Sequence, residues 1–335
     1  MRSWIWAVLA TAAVGLSGCG GEPEQPAART GPLRIVTSIF PLQSLVTQMT
    51  GAAAEVEVLM PPGANPHNFA PTPADLAKLA DADVLVVVGL ALDPWAERAA
   101  AAVGGAGRLK VLRFADLVAI TPQVETEHAD GHHHEHGHAH APGSPAHGEP
   151  GHVHGPECVH AANAHPWLEP ALTAQFVTEL SIQLAALRPE LGPTLKPAAT
   201  VLAEDITQLD AQFREKLRGV PVKKLVTFHN AFDQMAARYG LEVVDHLVDI
   251  ELAPGGEVTS GDLVQAIEAI REHGLKVIYA EPQFPAKVID RLRDETGVTV
   301  LTLDPEGSPQ RPGYETWQAM MKSNVKTLAE GQALQ

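Results

Sequence analysis

Strand-like and helix-like stretches alternate along this chain, and that alternation constrains its fold more than any other feature. Leu33–Ile39 is a short β-rich run, followed by helical spacing over Leu42–Met49. Glu55–Met60 alternates like a strand and runs into the turn Pro61-Pro62-Gly63. Thr72-Pro73-Ala74-Asp75 opens a helix with a Thr N-cap, Pro at the first helical position and an acid at N3. Val84–Leu90 is continuously apolar, as in a strand buried on both faces of a parallel sheet. A helix from Pro94 and a strand over Lys110–Phe114 follow, completing a βαβα rhythm.

The same rhythm resumes later. Thr173–Leu187 reads as a helix, and Leu191–Leu217 as a longer one whose regular part is expected from about Pro197. Leu202, Ile206, Leu209, Phe213 and Leu217 form one apolar stripe on it. Next come strand Lys224–Phe228, helix Ala231–Tyr239, strand Glu242–Val248 and a Gly/Pro loop over Ala253–Glu257. A helix capped by Thr259 with Asp262 at N3, strand Lys276–Ala280, helix Pro285–Thr296, strand Val298–Leu303 and a last helix near Tyr314–Leu328 close the chain. The fold class is α/β: two lobes joined by a long helix.

Between the series lies a stretch that cannot be core. From His128 it carries His132, His133, His134, His136, His138 and His140, then His147, His152, His154 and His160, among Gly, Ala, Pro and Glu. It offers too little apolar surface to offset its ordering entropy, so it reads as a surface loop over 127–164. Neutral imidazole is a common metal ligand, which makes this tract an accessory metal-binding segment, either a collector of zinc or a sensor of its sufficiency. It ends at His165, directly before Pro166-Trp167-Leu168 and a helical pattern.

The N-terminus is a targeting segment. Arg2 and the apolar run Trp4–Val14 lead to Leu16-Ser17-Gly18-Cys19, a lipobox with Cys19 as the lipidated residue. The organisation expected is a signal peptide over 1–18, a tether over 19–31, an N-terminal lobe over 32–188, a linking helix over 189–219 and a C-terminal lobe over 220–335. That places the protein outside the cytoplasm, in the periplasm or at the cell surface, held at a membrane through lipid. With Cys19 lipidated, Cys158 is left as a loose metal ligand or an idle thiol. A net charge of −16 argues against nucleic acid as a partner.

In open α/β sheets, ligands lie beyond the carboxyl ends of strands. Four residues meet that rule: His67, His165, His229 and Asp304, two from each half. Three imidazoles and a carboxylate suit Zn²⁺, whereas manganese prefers more oxygen. Three histidines plus water would also suit an exported zinc hydrolase, but His-Glu-x-x-His is absent and no general base is evident.

The motifs resemble a known family. Gly63-Ala64-Asn65-Pro66-His67 with Pro71-Thr72-Pro73-Ala74-Asp75, His165-Pro166-Trp167-Leu168-Glu169-Pro170, Phe228-His229-Asn230-Ala231-Phe232, Ala280-Glu281-Pro282-Gln283-Phe284 and Leu303-Asp304-Pro305 occur in the order found in zinc-binding solute-binding proteins of bacterial ABC importers. The resemblance covers essentially the whole mature chain. It implies a rigid linking helix, a metal site in the cleft between lobes, and delivery of zinc to an ABC permease by a monomeric carrier that is not an enzyme. It places the histidine ligands on His67, His165 and His229 and the carboxylate position on Asp304. Manganese-binding relatives carry Glu where His229 stands. Some zinc members place a Glu just before the first ligand; here Pro66 stands there, which leaves Asp304 or water as fourth ligand. Glu281 is expected to orient a ligating imidazole rather than bind metal. A zinc-buffering or adhesive surface lipoprotein without a transporter fits the residues as well.

Overall fold

The computed structural model describes residues 31–103, 109–120, 163–247 and 258–335. The readings that concern Cys19, Cys158, the histidine-rich tract and the loop Ala253–Glu257 lie outside the described residues.

The N-terminal series is β1 (Leu33–Thr37), α1 (Phe40–Thr50), β2 (Ala54–Val58), α2 (Pro73–Asp81), β3 (Val84–Val87), α3 (Pro94–Val103), β4 (Lys110–Arg113) and the short α4 (Phe114–Leu117). Its strands form a parallel sheet in the order β2-β1-β3-β4. Every residue of β3 is buried, as its unbroken apolar run requires in a strand covered on both faces. At α2 the Thr72 hydroxyl accepts the Asp75 amide, while the Asp75 carboxylate accepts the Thr72 amide at 2.9 Å.

Helices α5 (Pro170–Leu187) and α6 (Gly192–Arg218) follow. At 27 residues, α6 is about 40 Å long. It begins at Gly192, ahead of the start expected near Pro197, and runs through that proline. Pro193 lies where helix amides need no intrahelical partner, so only Pro197 costs the ladder a bond. Its buried face is Leu195, Ala199, Leu202, Ile206, Leu209, Phe213 and Leu217.

The C-terminal series is β5 (Lys224–Thr227), α7 (Asp233–Arg238), β6 (Glu242–His246), α8 (Ser260–Glu272), β7 (Val277–Ala280), α9 (Ala286–Thr296), β8 (Thr299–Thr302) and α10 (Trp317–Leu334). The helix expected over Ala231–Tyr239 is split, with a 3₁₀ turn over Asn230–Phe232 preceding α7. The strands are again parallel, ordered β6-β5-β7-β8, so the second sheet repeats the topology of the first.

The two halves share one apolar core, which runs from the first sheet through α6 to Leu225, Val277, Tyr279 and Leu303. A smaller cluster under α8 and α9 includes Val226, Ile278 and Leu292. α10 returns to the N-terminal lobe: the Trp317 amide donates to the Ser44 hydroxyl at 2.9 Å, and Gln48 and Gln318 exchange amide hydrogen bonds. The last helix also outruns its expected end near Leu328, and Gly331 lies against Tyr279 and Leu301. Among the described residues no helix is long and apolar enough to cross a membrane.

Candidate metal centre

Each half of the chain contributes to one site beyond the carboxyl ends of its strands. From the N-terminal half, His67 sits in the loop between β2 and α2. Its backbone amide donates to Asn65 Oδ1 at 2.9 Å, and the preceding Pro66 carbonyl accepts from Trp95 Nε1 at 2.7 Å. His165 precedes a 3₁₀ turn over Pro166–Leu168. Trp167 in that turn is fully buried; its indole donates to the Pro305 carbonyl at 2.7 Å and its own carbonyl accepts from Trp317 Nε1 at 2.8 Å. These bonds tie the His165 segment to the C-terminal half. From that half, His229 stands two residues past the end of β5 and Glu281 immediately past β7.

The three imidazoles converge. His165 Nε2 lies 3.3 Å from His67 Nε2 and 3.3 Å from His229 Nε2. All three ligand atoms fall within 4.8 Å of one another. A tetrahedral metal with bonds of about 2.0–2.1 Å sets neighbouring nitrogens about 3.3–3.4 Å apart, so these spacings are those of the edges of a zinc-sized tetrahedron. His165 and His229 are buried, and His67 is partly exposed.

Hydrogen bonds decide which nitrogen of each buried ring is free. Glu281 Oε1 accepts from His229 Nδ1, and Glu281 Oε2 accepts from Gln283 Nε2 at 2.6 Å. A carboxylate accepts only, so Nδ1 of His229 carries a proton and Nε2 is the nitrogen turned toward His165. Burial, reinforced by His229, pushes His67 down to about 4. Burial, then His229 and His67, holds His165 well below the ordinary imidazole range. Imidazole nitrogens that face one another at 3.3 Å, on rings two of which burial holds unprotonated, have a cation as their complementary partner.

Asp304 does not join this set. It is buried past β8, where Oδ1 accepts the amides of Glu306 at 3.0 Å and Gly307 at 2.8 Å, and Oδ2 accepts from Arg311 Nη1 at 2.7 Å. Its carboxylate closes its own loop, with Gly307 at φ +66° allowing the turn. Two residues that the motifs did not single out also belong to the neighbourhood. Glu306 is buried with neither carboxylate oxygen hydrogen-bonded, and burial, then Asp304, Glu281 and Asp93, raises its carboxyl well above the usual range. Arg238 joins three segments: Nε and Nη2 donate to Asp210 on α6 at 2.7 and 2.6 Å, and Nη1 donates to Glu169, four residues past His165, at 2.6 Å. No local pattern marks Arg238, because its partners lie 28 and 69 residues away in sequence.

The protein family described as zinc-uptake complex component A, periplasmic, matches residues 35–331. The chain belongs to this family. Its curated relatives include the zinc-binding lipoprotein AdcA of Streptococcus pneumoniae, 26% identical over 303 residues that cover 90% of this chain and 56% of AdcA. The high-affinity zinc uptake system protein ZnuA of Bacillus subtilis is 25% identical over 331 residues, 96% of this chain and 95% of ZnuA. The chain thus spans about half the length of the streptococcal relatives and nearly all of the Bacillus one. Among solved structures, the periplasmic zinc-binding protein TroA from Treponema pallidum aligns with a TM-score of 0.72 at 21% identity, covering 90% of this chain and all of TroA. A crystal structure of ZnuA aligns with a TM-score of 0.68 at 24% identity. At these identities the likeness is one of fold. The two parallel-sheet lobes and the long helix are the architecture this chain shares with those proteins.

Proposed function

We propose that this chain captures Zn²⁺ outside the cytoplasm and delivers it to the permease of an ABC importer. The observation that carries the reading is the convergence of three imidazole nitrogens within 4.8 Å of one another, two of the pairs at 3.3 Å. Membership of the zinc-uptake family supports the transport role, and the carrier reading is preferred to a hydrolase on that ground. His67, His165 and His229 bind the metal. The fourth position falls to Asp304 or water, and the bonds that hold Asp304 to Arg311 and its own loop favour water. Glu281 orients His229, since a carboxylate behind a ligating imidazole raises its basicity and fixes its ring. The chain works as a monomer, tethered by lipid on Cys19 after removal of residues 1–18, and the histidines over 132–140 act as an accessory metal-binding segment, a collector or a sensor.

Metal analysis of the signal-free protein, with competitive titration of zinc against manganese, tests this. One tight zinc per chain is expected. Replacing any of His67, His165 or His229 by Ala should weaken zinc binding more than tenfold, about 1.4 kcal/mol. Retention of full affinity by His229→Ala would overturn the ligand assignment.

A further inference from the structure

Asn163 lies two residues before His165, inside the stretch whose composition reads as an accessory loop, yet its side chain reaches both halves of the site. Its Oδ1 accepts the His165 backbone amide at 2.9 Å and lies 3.0 Å from His165 Nδ1. Its Nδ2 donates to the Asn230 carbonyl at 2.7 Å, next to His229. The amide has no freedom to turn over: a backbone N–H can only donate and a backbone carbonyl can only accept, so oxygen must face His165 and nitrogen must face Asn230. With Oδ1 fixed as an acceptor, Nδ1 of His165 must carry the proton, which leaves the lone pair on Nε2, the atom facing His67 and His229.

Resting on the zinc-carrier reading, we infer that Asn163 is a positioning residue: it fixes the tautomer and ring orientation of His165 and, by bridging to Asn230, couples that ring to the His229 segment across the cleft. His165 and His229 are then oriented from behind by different groups, an amide oxygen and the Glu281 carboxylate. The amide adds no charge beside the metal, and it contributes a second bond to the opposite lobe that a carboxylate could not donate. The tie between Arg238 and Glu169 lies on the other side of His165 along the chain, so the segment bearing His165 is held at both ends.

Nitrogen NMR of the metal-free, histidine-labelled full chain reads the tautomer directly, with the His165 signals identified by their loss in His165→Gln. In the unsubstituted protein Nδ1 should be protonated and Nε2 not. Asn163→Ala should release the ring toward the Nε2–H form that neutral imidazole favours in water, and lower zinc affinity about tenfold or more. It should also change the intensity of the visible bands of the cobalt-substituted protein, which report tetrahedral geometry. Asn163→Asp keeps an acceptor at Nδ1 while losing the bridge, so it should preserve the tautomer and recover part of the affinity lost in Asn163→Ala. An unchanged tautomer and affinity in Asn163→Ala, or an Asn163→Asp protein no better than Asn163→Ala, would overturn the assignment. Failure of the unsubstituted protein to bind zinc would instead overturn the carrier reading, and the tautomer measurement would still decide the role of Asn163.

Discussion

Glu281 and His229, 52 residues apart in sequence, form a buried carboxylate–imidazole pair in which Oε1 accepts from Nδ1. The pair leaves His229 Nε2 facing His165. Removing the carboxylate frees the ring to rotate and to take the wrong tautomer, so Glu281→Ala should weaken zinc binding by about 10–100-fold. Glu281→Gln, which can still offer an oxygen, should lose less. Competitive titration with a chromogenic chelator measures both, and wild-type affinity in Glu281→Ala would rule out the orienting role.

His67 and His165 give the metal-free protein a defined pH dependence. In the unfolded chain their rings titrate at about 6.5, whereas in the fold His67 is lowered to about 4 and His165 is held well below the usual range. Below about 6.5 the unfolded state therefore binds protons that the folded state refuses, and stability falls as pH drops from about 6.5 toward about 4. Above that window the contribution is constant. Urea melts of the metal-free protein at pH 7, 6 and 5 should show a steeper loss for the natural sequence than for a His67→Gln/His165→Gln variant. Parallel losses would mean that these rings are not held neutral by the fold.

Deletion of Glu127–His154 should leave one tight zinc site, because His165 is fixed by the Trp167 bonds to Pro305 and Trp317 and by Asn163. Weaker, pH-sensitive binding should disappear with the deleted histidines. Calorimetry decides the matter, and loss of the tight site with the weak ones would show that the tract builds the site.

Gly331 offers a test of how α10 is seated. A methyl group there would meet the Tyr279 hydroxyl and come within 2.9 Å of Leu301 Cδ1. Helix propensity favours Ala over Gly by about 1 kcal/mol, but overpacking a close contact costs about 1–3 kcal/mol. Gly331→Ala should therefore lower the melting temperature without altering zinc affinity. A more stable variant would mean that Tyr279 yields readily and that α10 is loosely seated.

Much of the fold was legible because its signals are local. Thr72 with Asp75 and Thr259 with Asp262 mark helix starts by a three-residue spacing, and both form reciprocal caps. Val84–Val87 announced a two-faced strand by its unbroken apolar run. Boundaries were harder where packing overrides pattern: α6 absorbs Pro197, and α10 runs on past Leu328 with Gly331 and Gln332 buried.

The sequence by itself determined the alternation of strands and helices, and with it the rule that His67, His165 and His229 should lie past strand ends or at a loop's close. It could not determine that nitrogens 98 and 64 residues apart meet at 3.3 Å. Nor could it show that Asp304 turns inward to Arg311 while Asn163 turns across the cleft to Asn230. Composition and periodicity report how each segment lies relative to water, an average over its neighbours. A hydrogen bond instead requires two particular atoms within about 3 Å and correctly aimed. Only the docking of the two sheets about α6, together with the return of α10 to α1, brings those atoms together.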